Sequence, residues 1–166
     1  MATFGWVLAA YAATWAFGVP LTLLHELGHA LTALALGIRR VIVNVGQPPA
    51  RAIALGRLEL RIRLLNRPRW AWFGTIDTPE GNEVSRARAI AVLAAGPVVS
   101  AVVLVTLLAA AAFLPWPPVL VVWAVAAAVA WQLFVTAIPM RYPRWFGPYA
   151  GRISDGYRIA RLVRSS

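Results

Sequence analysis

The sequence lacks cysteine and lysine and is poor in acidic residues. Without cysteine, the chain has neither a disulfide framework nor a thiolate metal site, so any metal ion must be held by histidine and carboxylate side chains. Charge of either sign is scarce as well, since 60% of residues are hydrophobic and only 13% are charged. An ordinary soluble domain has about twice that charged fraction. The composition therefore disfavours a soluble domain.

Two long stretches of the chain contain almost no charge. Glu26 is the only charged residue before Arg39, and residues 89–140 carry none. Uncharged apolar runs of about 18 or more residues are typical of membrane-spanning helices. We therefore predict a mainly α-helical membrane protein that forms a single domain over residues 1–166, with about three transmembrane helices at residues 4–37, 89–114 and 119–138.

The first predicted span is longer than a bilayer requires. At about 1.5 Å per residue, residues 4–37 reach about 50 Å, whereas the hydrocarbon core is about 30 Å thick. Gly18 and Pro20 interrupt the apolar run. We expect a kink at this point, or a break into two helices.

Residues 41–65 have the period of a β-strand, with one apolar and one charged face. The apolar positions are Leu58, Leu60, Ile62 and Leu64, and the charged ones are Arg57, Glu59, Arg61 and Arg63. We predict a small antiparallel sheet at the membrane surface, between the first and second spans. An exposed edge of such a sheet can accept an extended substrate by strand addition. Residues 74–83 are predicted to be a solvated loop, and residues 154–164 an amphipathic surface helix.

The net charge of +10 comes from sixteen arginines, all of them after residue 38. Basic patches can bind nucleic acid, but these arginines flank apolar spans, where they mark the cytoplasmic side. We expect no nucleic-acid partner. The pattern predicts a multi-pass protein of the cell membrane, in contact with the lipid bilayer, with its N-terminus outside and its sheet and C-terminus in the cytoplasm.

The pentapeptide from His25 to His29 contains both histidines of the chain and the only charge of the first span, Glu26. Histidines at i and i+4 lie on one face of a helix, so both imidazoles can reach one metal ion. The glutamate between them can act on a water molecule at that ion. A purely structural polar cluster is the alternative, but ionisable groups inside a span are costly and usually functional.

These residues resemble the active-site motif of the site-2 protease family of intramembrane zinc metalloproteases. Three further motifs are similar to those of the family and occur in the same order. Ala95-Gly96-Pro97 resembles its Gly-Pro motif, Thr136-Ala137-Ile138-Pro139 its Asn-x-x-Pro motif, and Ser154-Asp155-Gly156 its Asp-Gly motif. The resemblance covers nearly the whole chain.

The resemblance implies a function and a set of site residues. His25, His29 and Asp155 would hold Zn²⁺, and Glu26 would be the catalytic general base that activates water. The substrate would be a membrane-spanning protein segment, cut near the cytoplasmic side. Ser100 and Thr136 stand where the family commonly has asparagines that hold the substrate backbone, and they are the candidate substrate-binding residues.

Three alternatives remain open at the level of the sequence. Ser154 or Asp155 can instead cap the last helix, since both residue types do so readily. The chain can also be a binding or scaffold protein that has lost proteolysis, or a small metal-handling membrane protein. The intact Glu26 opposes the second alternative. The small number of polar residues along the second and third predicted spans opposes the last.

Overall fold

The computed structural model describes residues 2–46, 50–63, 72–78 and 84–165. The protein is mostly helical, with a small sheet between the first two helices, as the sequence predicted. In chain order the elements are α1 (Ala2–Ala35), β1 (Val41–Val45), β2 (Arg51–Leu55), β3 (Leu58–Ile62), β4 (Gly74–Asp77), α2 (Arg86–Ala111), α3 (Val119–Ala137), a 3-10 turn (Gly147–Tyr149) and α4 (Asp155–Arg164).

Helices α1, α2 and α3 are each long and apolar enough to cross a membrane. Their chain positions agree with the three predicted spans, and their ends differ from the prediction by up to about three residues, within the usual uncertainty of helix ends. All three pack against one another. The amphipathic helix predicted at the C-terminus is α4.

Helix α1 is continuous through Pro20, so of the two predicted alternatives the break into two helices is excluded, and the kink stays a prediction. The helix ends at a glycine in the left-handed conformation, Gly37, with φ of +94°. The N–H of Ile38 donates to the carbonyl of Ala33, and the N–H of Gly37 donates to that of Leu34. This pair of bonds is a Schellman motif, which satisfies the last carbonyls of the helix and turns the chain toward β1.

The sheet has the strand order β2-β3-β1-β4 and mixed pairing. Strands β2 and β3 form an antiparallel hairpin, and β4 is antiparallel to β1, but β1 and β3 are parallel. The prediction of a purely antiparallel sheet is therefore wrong. Because the hairpin brings β3 back beside β1, β3 lies inside the sheet, and only β2 and β4 are edges.

The predicted faces of β3 are confirmed over the residues that the structure describes. Leu58 belongs to a buried cluster with the valines of β1, and Leu60 and Ile62 pack against it. On the other face, Glu59 accepts hydrogen bonds from Arg40 and Arg61. These bonds hold the pKa of the Glu59 carboxyl below its usual value. Leu64 lies outside the described residues.

One prediction about the surroundings of the sheet was wrong. Residues 74–77 form strand β4 and not a solvated loop; residues 79–83 lie outside the described part of the chain. The buried valines of β1 belong to one hydrophobic cluster with Val19, Ala30 and Ala33 of α1. The position of the sheet at the membrane surface stays a prediction.

Candidate metal centre

The side chains of the two histidines of α1 converge, so that their Nε2 atoms lie close together. His25 and His29 are each 3% exposed, and their Nε2 atoms lie 3.2 Å apart. This geometry follows from the i, i+4 spacing on a helix, which stacks the two side chains one turn apart. A pair of imidazole nitrogens so close together is stable only with a proton or a cation between them.

The remaining ring nitrogens are fixed by α2. Nδ1 of His29 lies 2.7 Å from the carbonyl oxygen of Val92, which can only accept a hydrogen bond. Nδ1 of His29 must therefore carry a proton, so the neutral ring presents a lone pair at Nε2. Nδ1 of His25 lies 2.8 Å from Oγ of Ser100 and can donate to it in the same way. Such outer partners orient histidine ligands in metal sites.

Asp155 completes the group from the first turn of α4. Its Oδ2 lies 3.5 Å from Nε2 of His25 and 3.4 Å from Nε2 of His29. The capping role belongs to Ser154, whose Oγ accepts a hydrogen bond from the N–H of Tyr157. The Asp155 carboxylate is thus free to face the histidines.

The three candidate ligand atoms have a spacing that fits a tetrahedral zinc ion. All candidate ligand atoms lie within 4.8 Å of one another, and the three contacting pairs are 3.2, 3.4 and 3.5 Å apart. With bonds of about 2.0–2.1 Å, two ligands of a tetrahedral zinc are about 3.3 Å apart. The residues present therefore fit a three-ligand site with one position open.

The electrostatics of Asp155 favour the charged form. Burial alone raises the pKa of this carboxyl, but its contacts with the His25 and His29 imidazoles outweigh burial and lower the pKa below its usual range. Because a carboxylate binds metal in its ionised form, Asp155 is ready to act as a ligand at neutral pH.

Two glycines allow the helices to approach the site closely. A Cβ on Gly96 would collide with the imidazole ring of His29, and a Cβ on Gly156 would collide with the carbonyl of Ala137. The first contact sets α2 directly against the histidines, and the second lets α4 start close to the end of α3. The glycines of the Gly-Pro and Asp-Gly motifs therefore have a packing role that spacing alone did not reveal.

Glu26 faces strand β4. The side chain is 6% exposed, and a Cβ on Gly74 would lie 2.6 Å from both Cγ and Oε1 of the glutamate. The hydroxyl of Tyr149 binds the same glycine, since it accepts from the Gly74 N–H at 2.9 Å and donates to the Gly74 carbonyl at 3.2 Å. Burial raises the pKa of Tyr149 well above its usual value, so the hydroxyl keeps its proton.

A cavity of about 630 Å³ opens onto the histidine pair and Glu26. Its walls come from all three long helices, from β4 and from the segment that precedes α4. Thr136 lines this cavity, whereas Ser100 is 3% exposed and lies behind His25. Substrate contact by these two residues stays a prediction. Sequence reasoning missed β4 and Tyr149, since neither contains a motif.

A comparison with protein families agrees with this geometry. The sequence model of peptidase family M50, the site-2 protease family, matches residues 12–147. The chain belongs to peptidase family M50. Members of this family are in general metallopeptidases. Searches of curated proteins and of solved structures gave no match. The matched segment includes His25, Glu26 and His29 but ends before Asp155, so the case for Asp155 rests on its position beside the histidines.

Proposed function

We propose that this M50 family member is an intramembrane zinc metalloprotease that hydrolyses peptide bonds in membrane-spanning protein segments. The observation that carries the proposal is the convergence of His25, His29 and Asp155 at tetrahedral spacing, with Glu26 beside them. A buried group of this kind is costly inside an apolar helix bundle unless it has a function.

Zinc is the ion that best suits the ligands. Two imidazole nitrogens and one carboxylate, with a fourth position open, are typical of catalytic zinc. When bound, zinc lowers the pKa of a coordinated water molecule to about 7 and polarises a carbonyl group. His25, His29 and Asp155 would hold the ion. The partners of their outer nitrogens, Val92 and Ser100, keep the two rings oriented.

Glu26 is the proton-transfer group in this proposal. Its carboxylate lies on the same helical turn as the histidines and is positioned against Gly74. Glu26 accepts a proton from the attacking water molecule and then delivers it to the amine nitrogen of the leaving peptide. The burial of this carboxylate keeps bulk water away from the proton that it carries.

Strand β4 is the surface on which we place the substrate. Phe73 accepts a bond from Gly46 of the β1 segment, so the alternation of an antiparallel pair turns the backbone groups of Gly74 and Ile76 away from β1. Residues 74–77 all line the cavity. A membrane segment that unwinds can therefore pair with this edge, with its backbone close to Glu26. Strand addition on β3, the strand with the clearest sequence pattern, is excluded because β3 is paired on both sides.

The proposed localisation is the cell membrane, with the site toward the cytoplasm. Arginine distribution supports this orientation, since no arginine precedes residue 39 and the turn between α2 and α3 is uncharged. Reporter fusions after Ser166 test it. A cytoplasmic reporter should be active there and a periplasmic reporter silent, and the reverse result would show that the orientation is inverted.

Proteolysis is tested with a library of single-pass reporter proteins that differ in a helix-destabilised membrane segment. Wild type should cleave members of the library, and Glu26→Gln should lose at least about a hundredfold in rate while it keeps its metal, because the amide cannot take up the proton. Equal cleavage by both proteins, or none by wild type, would favour a scaffold or a metal-handling protein.

The ligand set is tested by metal analysis of the purified protein in detergent. Asp155→Asn should stay folded, because Ser154 supplies the helix cap, but it should lose most of its bound zinc and its activity. Ser154→Ala is the matched control. It should cost about 1 kcal/mol of stability and leave the zinc content unchanged. Full zinc occupancy in Asp155→Asn would place the third ligand elsewhere.

A further inference from the structure

Helix α3 is almost entirely apolar along the face that it presents to the cavity. Apart from two tryptophans, Gln132 and Thr136 are its only side chains with hydrogen-bonding groups. They lie one turn apart, on the same face, and both line the cavity that contains His25 and His29. Trp131 also lines the cavity, but its indole can only donate, so a contact from this wall that both donates and accepts must come from Gln132 or Thr136.

The hydroxyl of Thr136 is already engaged by its own helix. Its Oγ1 donates to the carbonyl of Gln132 at 2.9 Å and lies 3.2 Å from that of Leu133. A threonine hydroxyl has a single proton, so no donor is left for a ligand in the cavity. Back-bonding of this kind is the usual state of threonine inside a helix.

The carboxamide of Gln132 is in the opposite state. Its residue is only 9% exposed, yet none of the residues that the structure describes forms a hydrogen bond with the carboxamide. The side chain offers two donors and one acceptor and points into the cavity. Because no buried side-chain N or O atom in the described part of the chain lacks a partner, the polar atoms of this carboxamide must reach the cavity surface, where they are available to a group bound in the cavity.

The chemical nature of that bound group follows from strand β4, on the other side of the cavity. A segment that adds to the edge of β4 satisfies the peptide groups along one of its own edges only, since backbone groups alternate between the two edges. The groups on its outer edge then lie in a cavity with largely apolar walls. They need a partner that both donates and accepts, as a carboxamide does.

We propose that Gln132 is a substrate-positioning residue, whose carboxamide binds the outer backbone edge of an extended substrate segment paired with β4. This inference rests on the proposed proteolytic function. In this arrangement β4 binds one backbone edge of the peptide and α3 binds the other. Together they hold the peptide against Glu26. Since the contact is made to backbone, it applies to substrates of different sequence.

Gln132→Met tests the proposal, because methionine keeps the length and flexibility of the side chain but cannot hydrogen-bond as an amide does. Cleavage of the reporters that wild type cuts should fall about tenfold in kcat/KM, with zinc content and thermal unfolding unchanged. Thr106→Val on α2 is the control, because the Thr106 hydroxyl donates within its own helix to the carbonyl of Val102 and the residue does not line the cavity. This variant should stay within about twofold of wild type.

Binding without turnover separates positioning from a structural effect. In the Glu26→Gln background, the reporter segment should cross-link or bind about tenfold more weakly when Gln132→Met is added. Gln132→Asn, which keeps the carboxamide on a shorter chain, should recover part of the loss. If wild type cleaves the reporters and Gln132→Met cleaves and binds them equally well, the role of Gln132 is refuted while the protease function stands. If wild type cleaves none, the protease function itself fails.

Discussion

The two edges of the sheet have similar backbones and different surroundings. Strand β2 is exposed at all five positions and presents Ile53 and Leu55 at about half exposure. Strand β4 lies along the cavity, and its first residue, Gly74, contacts Glu26. Both strands are edges of the described sheet, although the Tyr149 hydroxyl already binds the outward groups of Gly74 on β4. Under the proposed function, position beside the site, and not strand character, determines which edge can receive a substrate.

The β4 edge is also distinguished by how closely it approaches α1. At Gly74 there is no room for a side chain, because a Cβ would lie 2.6 Å from Glu26 and 2.7 Å from Cγ2 of Thr22. We therefore predict that even small changes on β4 lower the cleavage rate, while the same changes on β2 leave it unchanged.

The largest effect is expected from Gly74→Ala. The added methyl group must displace either the strand or the Glu26 carboxylate, and a misplacement of about 1 Å can cost about a hundredfold in rate. Reporter cleavage should fall by that amount while zinc stays bound to its three ligands. Gly5→Ala is the control, since a Cβ at Gly5 meets nothing within 4 Å. A cleavage rate near wild type in Gly74→Ala would show that β4 does not set the position of Glu26.

A smaller effect is expected from proline on the two edges. Ile76→Pro removes an N–H that faces away from β1, so one hydrogen bond to a paired substrate is lost. We expect about a tenfold fall in kcat/KM.

The control for this substitution is Ala52→Pro on β2. Arg57 and Arg63 bond β1, so alternation along β3 turns Leu58, Leu60 and Ile62 toward β2. Ala52, which is paired with Arg61, therefore faces outward. Proline at Ala52 should therefore leave cleavage unchanged. Equal losses from both prolines would indicate general damage to the sheet, and no loss from either would argue against strand addition.

The contrast between the two edges also shows what the sequence could predict. Hydrophobic period and charge identified the spans, strand β3 and the histidine pair, because each depends on residues near one another in the chain. Strand β4 was predicted to be part of a loop, since residues 74–83 hold three of the six acidic residues together with Pro79 and Gly81. Its strand character comes from pairing with β1, which is a tertiary contact.

The residues of the candidate site fall into the same two groups, those that local sequence predicts and those that depend on tertiary contacts. His25, Glu26 and His29 follow from helical spacing alone. The position of Asp155 beside them could be expected only from family resemblance, since it depends on how α4 packs against α2 and α3. Gln132 was visible in the sequence only as one polar residue in an apolar span. The positioning role proposed for Gln132 depends on the hydrogen bond of Thr136 within its own helix, which no pattern in the sequence reveals.

The smallest effect is expected from Tyr149→Phe, which tests the outward backbone groups of a single residue of β4. The Tyr149 hydroxyl occupies the outward N–H and carbonyl of Gly74, the same groups that an added strand would use. A substrate that extends this far must displace the hydroxyl, so its removal should lower KM about two- to threefold, the size expected when one weak competing hydrogen bond is lost. Tyr142→Phe is the matched control, because the Tyr142 hydroxyl donates to Val135 on α3 and leaves β4 untouched. Steady-state kinetics on one cleaved reporter compare the two variants. An unchanged KM in Tyr149→Phe would show that the substrate strand ends at Ile76, and the paired region of β4 would then be shorter than its four residues.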